Sequence, residues 1–477
     1  MAFVMLKYDW FKGKRVTVFG IGLNRGALAT IKFLIEAGVR EVIATDIKTK
    51  ADLAPTLQEL AKYKNITYVL GQHRPEDFTH SDMVVKNPVI AWTNEYIKLA
   101  LAHAVPVEMD ASLFIQLTSR PMLGVTGTKG KTTTASLIAH ILEHSDRDIV
   151  RAGISQIGFL DALDRVTSTS TIVAELSSWR LSSFTSHQYS PAVAVVTNIY
   201  PDHLNYYKKM AAYVADKEII FRFQKPTGIL VLNRDNEGTR DFAARAKGQV
   251  VWFSERELTE GEGVFLRSGS VYERTAAGEQ ALFPWPEVEL LGEHNRSNVL
   301  AAIAAARTQD ISPAAIRTAL ATFKGVPHRL ELVGERADVR YYNDTAATMP
   351  EAAVAGIRAF TAPVVLIAGG ADKAFDYTEL ARVFATEPKA VILLQGTATE
   401  KLLPLMEKAA LASGKSGVTF PVVASMADAL RVATEEAQPG DVVLLSPGVA
   451  SFGLFQNEFD RGDQFRAGVK QFLAAAK

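Results

Sequence analysis

Gly124-Val125-Thr126-Gly127-Thr128-Lys129-Gly130-Lys131-Thr132 joins a short apolar segment, Pro121-Met122-Leu123, to a helical pattern that runs from Thr133 to Leu142. Glycines between a strand and a helix let backbone N–H groups close around phosphate oxygens, and the helix start adds partial positive charge. In such a loop Lys131 reaches the β- and γ-phosphates and the Thr132 hydroxyl ligates Mg²⁺, with Gly127, Thr128, Lys129, Gly130 and Thr133 around the nucleotide. The strict motif has glycine where this chain has Val125, so the loop is a Thr-Gly-Thr-Lys-Gly-Lys-Thr variant.

Two further positions could serve a nucleotide site. Glu175 closes the apolar run Ile172-Val173-Ala174, and a carboxylate at a strand's C-terminal edge commonly meets Mg²⁺ beside a phosphate loop. A solvated strand-end glutamate is the plain alternative. His203 follows the next apolar strand in Thr197-Asn198-Ile199-Tyr200-Pro201-Asp202-His203 and could join Glu175 at a metal, although an isolated histidine is more often a packing or surface residue. Lys217 lies in a helical stretch, Tyr213 to Phe221, and nothing local sets it apart from a solvated lysine.

The elements that must carry these residues alternate between strand and helix, which implies an α/β fold of parallel sheets in three blocks. The first, residues 1–120, opens with Val16 to Phe19, the turn Gly20-Ile21-Gly22-Leu23-Asn24-Arg25-Gly26, a helix to about Ala37, and a strand ending at Asp46. That is a Rossmann-like start, with the third glycine displaced by one place. The second block, 121–327, carries the phosphate loop. Its strands are expected near Thr171 to Leu176, Ala192 to Thr197, Gly228 to Leu232 and Val250 to Phe253. A β-meander between Gly263 and Phe283 and helices at Asn298 to Thr308 and Pro313 to Phe323 follow. Gly325-Val326-Pro327 reads as a linker. The third block, 328–477, repeats the open-sheet pattern with strands at Val339 to Tyr342, Val364 to Ala368, Ala390 to Leu394, Pro421 to Ala424 and Asp441 to Leu445.

Composition excludes several functions. The 477 residues contain 52 basic and 52 acidic side chains, so no global field recruits nucleic acid or an anionic membrane. There is no cysteine, hence no disulfide, thiolate metal site or thiol nucleophile. Met1 to Lys14 has no cleavable apolar core, and no run approaches a membrane span. A cytoplasmic enzyme is expected.

Taken in order, Thr126 to Thr132, Glu175-Leu176-Ser177-Ser178, Asn198 to His203, Tyr213 to Lys217, His294-Asn295 to Asn298, Pro327-His328-Arg329, Asn343-Asp344, Gly369-Gly370, Leu445-Ser446-Pro447 and Ala450-Ser451 resemble the Mur ligases of peptidoglycan synthesis. The Gly-x-Gly turn and Asp46 are similar to the uridine-binding domain of the glutamate-adding member, and no Asp-Asn-Pro-Arg signature of the diaminopimelate- or lysine-adding member is present. The resemblance implies three α/β domains: an N-terminal Rossmann-like domain for the UDP substrate, a central P-loop-type domain for ATP, and a C-terminal Rossmann-like domain for the amino acid. It also implies that ATP phosphorylates the carboxylate of UDP-N-acetylmuramoyl-L-alanine and that the amine of glutamate, as the D isomer, attacks the acyl phosphate.

By position, the resemblance makes Lys131, His203, Lys217 and Arg329 catalytic. Thr132, Glu175, His203 and a CO₂-carbamylated Lys217 would hold Mg²⁺. Asn295, Asn298, Arg329 and Asp344 would contact ATP, Asp344 at the ribose. Asp46, Thr348, Lys373 and Ser451 would bind the other substrates, and the enzyme would act as a monomer. The chain departs from the family where a usual lysine becomes Ala346, a common aromatic becomes Glu458, a Ser-Pro-Gly loop becomes Asn87-Pro88-Val89, and Gly-Asn-Ile-Gly becomes Ser155-Gln156-Ile157-Gly158. Three other readings use the same features: the same fold adding L-glutamate, a ligase like folylpolyglutamate synthase, and a non-catalytic nucleotide switch. The second lacks the N-terminal block, and joint retention of Lys131, Glu175, His203 and Lys217 speaks against the third.

Overall fold

The computed structural model describes residues 6–23, 25–285, 290–292, 294–415 and 417–474. Residues 1–5 of the N-terminal stretch and Asn24 of the glycine turn, both read above, lie outside them. The described chain forms three sheets. It divides into two compact units, one of residues 1–288 with 296–323, the other of residues 289–295 with 324–477. The first unit holds two of the sheets. Among the described residues no helix is long and apolar enough to cross a membrane.

The first sheet has strands β1 (Arg15–Phe19), β2 (Glu41–Asp46), β3 (Ile66–Leu70), β4 (Met83–Lys86) and β5 (Val107–Glu108), all parallel, in the order β3-β2-β1-β4-β5. The order reverses between β1 and β4, the point where doubly wound sheets open a crevice at their carboxyl ends. The second sheet contains β6 (Met122–Thr126), β7 (Ile149–Ala152), β8 (Thr171–Glu175), β9 (Val193–Val196), β10 (Ile229–Asn233), β11 (Gln249–Ser254), β12 (Gly263–Arg267), β13 (Ser270–Thr275) and β14 (Gly278–Pro284). The last three form the expected antiparallel meander at one edge. All five residues of β6 are buried, as befits a central parallel strand covered on both faces.

β6 lies between β8 and β9, with Val125 opposite Glu175 on one side and Val195 on the other. This register brings the phosphate loop, Glu175 and the segment after β9 out side by side at one sheet edge.

In the other unit the strands are β15 (Glu331–Arg336), β16 (Val339–Asn343), β17 (Val364–Ala368), β18 (Ala390–Leu394), β19 (Val422–Val423) and β20 (Val442–Leu445). Their order is β15-β16-β20-β17-β18-β19, and only the edge strand β15 is antiparallel. Alternation builds two cores from one sheet. Leu366 and Ala368 face one apolar layer with Leu380 and Leu402, while Val365 and Ile367 face another with Leu430 and Phe465. Each such valine, leucine, isoleucine or phenylalanine contributes about 1.5–3 kcal/mol on burial.

Candidate active site

Gly130 caps the helix Lys131–Glu143 in a left-handed conformation, φ 82°, and an added Cβ there would land on Asn298 Oδ1. Gly127, with φ 148°, has no room either, because a Cβ would meet Thr197 Oγ1. The loop between them is held from outside. Asn198 accepts from Thr128 N through its carbonyl and from Lys129 N through its side chain, both at 2.9 Å, and Thr197 Oγ1 donates to the Lys129 carbonyl at 2.6 Å. Thr128 Oγ1 receives the Tyr213 hydroxyl at 3.1 Å and Tyr200 N at 3.0 Å. A glycine-flanked loop clamped this way presents its amides and a helix start to a phosphate without having to reorganise.

Lys131 Nζ donates to the carbonyls of Gly127 (3.0 Å) and Thr128 (2.9 Å), and Lys217 Nζ donates to the same Gly127 carbonyl at 2.7 Å. Lys217 belongs to the helix Met210–Arg222 and is 1 % exposed, its ammonium 4.7 Å from the Tyr213 ring centroid. Burial, followed by the charge of Lys131, holds its pKa well below the ordinary lysine value, against the opposing pull of Asp202, Glu175 and Asp216. This lysine is no solvated surface charge.

His203 adopts φ 53°, a left-handed conformation that disfavours side chains with a Cβ and is concentrated at functional sites. Its ring lies 4.6 Å from the Trp179 ring and 6.1 Å from Tyr213. Burial lowers its pKa; Asp202 opposes this, and Lys131, Lys217 and Lys129 reinforce it. A neutral imidazole is the form that can ligate a metal. Glu175 is half-buried at the end of β8, and its charge is felt by Lys217 and Arg180. Among the described residues no group of three or more His, Asp or Glu side chains forms a finished metal cage. Mg²⁺ fits this setting, because it is usually held by one or two protein ligands plus phosphate oxygens and water. Thr132, buried in the first helical turn, and Glu175 and His203 supply oxygen and nitrogen donors around the loop.

Asp46 accepts Gly22 N and Lys48 N, each at 2.9 Å. Its carboxylate thus pins the glycine turn after β1.

The second unit gathers its own set of predicted residues at the carboxyl edge of its sheet. Asp344, after β16, accepts from Ser446 Oγ at 2.8 Å and Leu330 N at 3.2 Å. Burial pushes its carboxyl up to about 7, against these hydrogen bonds and the charge of Arg329. Arg329 is exposed, flanked by His328 and Leu330 at φ 68° and 43°. Lys373 Nζ reaches the Thr348 carbonyl at 3.5 Å, and Ala371 pairs with Ala450 next to the buried Ser451. The loops bearing Thr348, Lys373 and Ser451 therefore meet. Glu458 begins the helix Glu458–Ala474, its carbonyl accepting from Thr345 Oγ1 at 2.8 Å, while Phe459 is engaged edge-on by His328. Asn295 Nδ2 donates to the Leu291 carbonyl in this unit, whereas Asn298 stands in the first unit near Thr134 and Gly130.

Sequence reasoning quoted Tyr213 and Asn198 in family-like segments without giving them a role, and passed over Trp179 and Lys86. Tyr213 had one signal: it lies four residues before Lys217, on the same face of a helix. The others act through tertiary neighbours alone.

A glycine-flanked loop clamped ahead of a helix start, with a buried lysine at its back on a central parallel sheet, is the arrangement that suits a nucleotide-binding enzyme. A family model of the Mur ligase middle domain matches residues 125–306, and one of the Mur ligase glutamate ligase domain matches residues 328–449. The chain is 41 % identical to a UDP-N-acetylmuramoylalanine–D-glutamate ligase of Roseiflexus sp. (strain RS-1), over 96 % of this chain and 99 % of that protein. It is 37 % identical to the same-named ligase of Symbiobacterium thermophilum, over 96 % and 98 %. Among solved structures it resembles a UDP-N-acetylmuramate-alanine ligase of Thermotoga maritima, with TM-score 0.61 and 20 % identity over 97 % of this chain and all of that one. The chain belongs to the Mur ligase family and is an ATP-dependent ligase of peptidoglycan precursor synthesis.

Proposed function

We propose that the chain joins D-glutamate to UDP-N-acetylmuramoyl-L-alanine through an acyl phosphate, with ATP as phosphoryl donor. The observation that carries this reading is the pair of amines, Lys131 and Lys217, on the Gly127 carbonyl at the back of the phosphate loop. A carboxylate is a poor electrophile, and phosphorylation gives it a leaving group. The transition state then needs cations and positioning more than a nucleophilic side chain. In this reading Lys131 and the amides from Gly127 to Thr133 hold the phosphates, and Asn295, Asn298 and Asp344 hold the nucleoside. Arg329 meets the γ-phosphate. Mg²⁺, held by Thr132, Glu175, His203 and a carbamylated Lys217, neutralises charge on the transferring oxygens. Thr348 and Lys373 take the α-carboxylate of the amino acid and Ser451 its side chain, while Asp46 serves the UDP end.

The functional domains run 1–120, 121–327 and 328–477, and the enzyme acts as a cytoplasmic monomer, where ATP is available. L-glutamate as substrate is the second reading, left open because Ala346 and Glu458 depart from the family pattern beside the amino-acid residues. A coupled ADP-release assay with D- or L-glutamate tests both. Turnover should need ATP, UDP-N-acetylmuramoyl-L-alanine and one glutamate isomer together; ADP release indifferent to the acid would end the proposal.

A further inference from the structure

Lys86 and Trp179 carry hydrogen-bond donors that the chain itself leaves under-used, and both line one cavity. The cavity, of about 250 Å³, opens where β1 and β4 run side by side, at the switch point of the first sheet. Gly20 and Gly26 wall it on one side, Lys86 and Asn87 on a second, Trp179 and Arg180 on a third. Doubly wound sheets take their ligands at this place.

Lys86 ends β4 and is 2 % exposed. Its ammonium donates to the Ile90 carbonyl at 2.8 Å and lies 4.5 Å from the Trp92 ring centroid, and among the described residues no carboxylate comes within ion-pair distance of it. The nearest acid along the cavity wall, Asp110, is already engaged by Arg180, with Nη2 to Oδ2 at 2.7 Å and Nε to Oδ1 at 3.2 Å. Arg180 is thereby neutralised and Lys86 is left as the wall's uncompensated charge. Burial brings its pKa down to about 7, while Asp110 and Asp216 pull upward. Such a group is expensive to keep unless something anionic meets it.

Trp179 adds an independent sign. Its indole Nε1 is buried with no hydrogen-bond partner. The ring covers His203 on the phosphate-loop side at 4.6 Å and also lines the cavity, so it connects the two. Buried donors are rarely left orphaned without a ligand or water to accept from them.

We propose that Lys86 and Trp179 are receptor residues for an oxyanion of the acid substrate, the ammonium and the indole N–H both donating to phosphate or carboxylate oxygens of a nucleotide-linked acid in this cavity. The inference rests on the ligase reading above and adds two residues to it.

Titration calorimetry on the full chain tests it, comparing wild type with Lys86→Met and Trp179→Phe. The phenylalanine keeps a ring against His203 and removes only the donor. Two probes separate the anion sources: UDP-N-acetylmuramoyl-L-alanine, and UDP-N-acetylglucosamine, which has the diphosphate but no carboxylate. Each variant should bind the acid about tenfold or more weakly, as loss of a charge-assisted or buried hydrogen bond predicts. The loss should appear in KM for the acid rather than in KM for ATP. Weakening toward both probes assigns the donors to the diphosphate, and weakening toward the acid alone assigns them to the carboxylate. Unchanged affinities in variants that melt like wild type overturn the proposal and leave the ligase reading standing. A wild-type chain that binds neither probe overturns both.

Discussion

Lys217 Nζ and Lys131 Nζ share one acceptor, the Gly127 carbonyl, at 2.7 and 3.0 Å. Two ammonium groups on a single oxygen repel, and burial, followed by the charge of Lys131, holds the pKa of Lys217, at 1 % exposure, well below the ordinary lysine value. A neutral amine can add CO₂ to become a carbamate, releasing a proton and turning a buried cation into an anion. Lys217→Ala should therefore abolish synthesis, and short carboxylic acids should restore part of it by occupying the vacated space. Absence of rescue in a folded variant would remove the carbamate role. Exhaustive removal of CO₂ from wild type should lower turnover reversibly.

The phosphate loop gives a second test. Gly130→Ala places a methyl on Asn298 Oδ1 and holds alanine at φ 82°. Left-handed strain of about 1–2 kcal/mol alone would be tolerated by a domain of this size. The clash acts instead on the loop, and ATP affinity should fall about tenfold or more with little change in melting temperature. Unaltered ATP binding by calorimetry would show that this loop does not seat the triphosphate.

Arg329 is exposed and lies in the second unit, so it has no packing duty that would confuse its mutation. Arg329→Ala should leave ATP binding measurable while phosphoryl transfer slows by about 10² or more, the cost of losing a transition-state cation. Single-turnover rates like wild type would take it off the site.

Much of this was legible because its signals are local. Pro121-Met122-Leu123 reads as a strand from its apolar run, though the strand continues through Thr126, and the glycines, Lys131 and Thr132 follow directly, so phosphate chemistry shows in nine consecutive residues. β3, β4, β5 and β7 escaped notice; β5 and β7 are only two and four residues long. β15 begins beside Pro327-His328-Arg329, where turn signals mask it, and none of its residues is buried, which marks an edge rather than a core strand. Lys217 was invisible for a different reason. Its burial and its neighbour Gly127 lie 90 positions apart in sequence, and no helical pattern encodes such a contact. Lys86 and Trp179 are hidden in the same way.

Asp344 predicts a pH dependence. Its folded pKa of about 7 stands above the ordinary 3.8, so the native state holds this proton more tightly than the unfolded chain. The resulting stability is complete below 3.8, declines as pH rises, and is gone above 7. Asp344→Asn keeps an acceptor for Leu330 N, turns an N–H donor toward the Ser446 hydroxyl oxygen, and cannot ionise. Melting curves should show the variant gaining on wild type from pH 4 to pH 8, by up to a few kcal/mol at about 1.4 per unit. Parallel pH profiles would contradict the burial of an ionising carboxyl here.

Glu458 concerns which amino acid the second unit accepts. Burial lowers the pKa of Lys373, Glu458 opposes that shift, and Arg461 reinforces it. Arg461 is fully buried, donates to the Thr345 hydroxyl at 3.0 Å, and is drawn down to about 9 by burial against the pull of Glu458. The field of Glu458 thus falls on the lysine assigned to an incoming α-carboxylate, and it competes with a dicarboxylate for that charge. The neighbouring aromatic, Phe459, packs its ring edge-on with His328. Glu458→Gln keeps the backbone contact to Thr345 and removes the competing charge, so KM for glutamate should fall about three- to tenfold, with KM for ATP unmoved. A rise in KM would mean instead that Glu458 orders Lys373 for binding, and the carboxylate would then belong to the receptor itself.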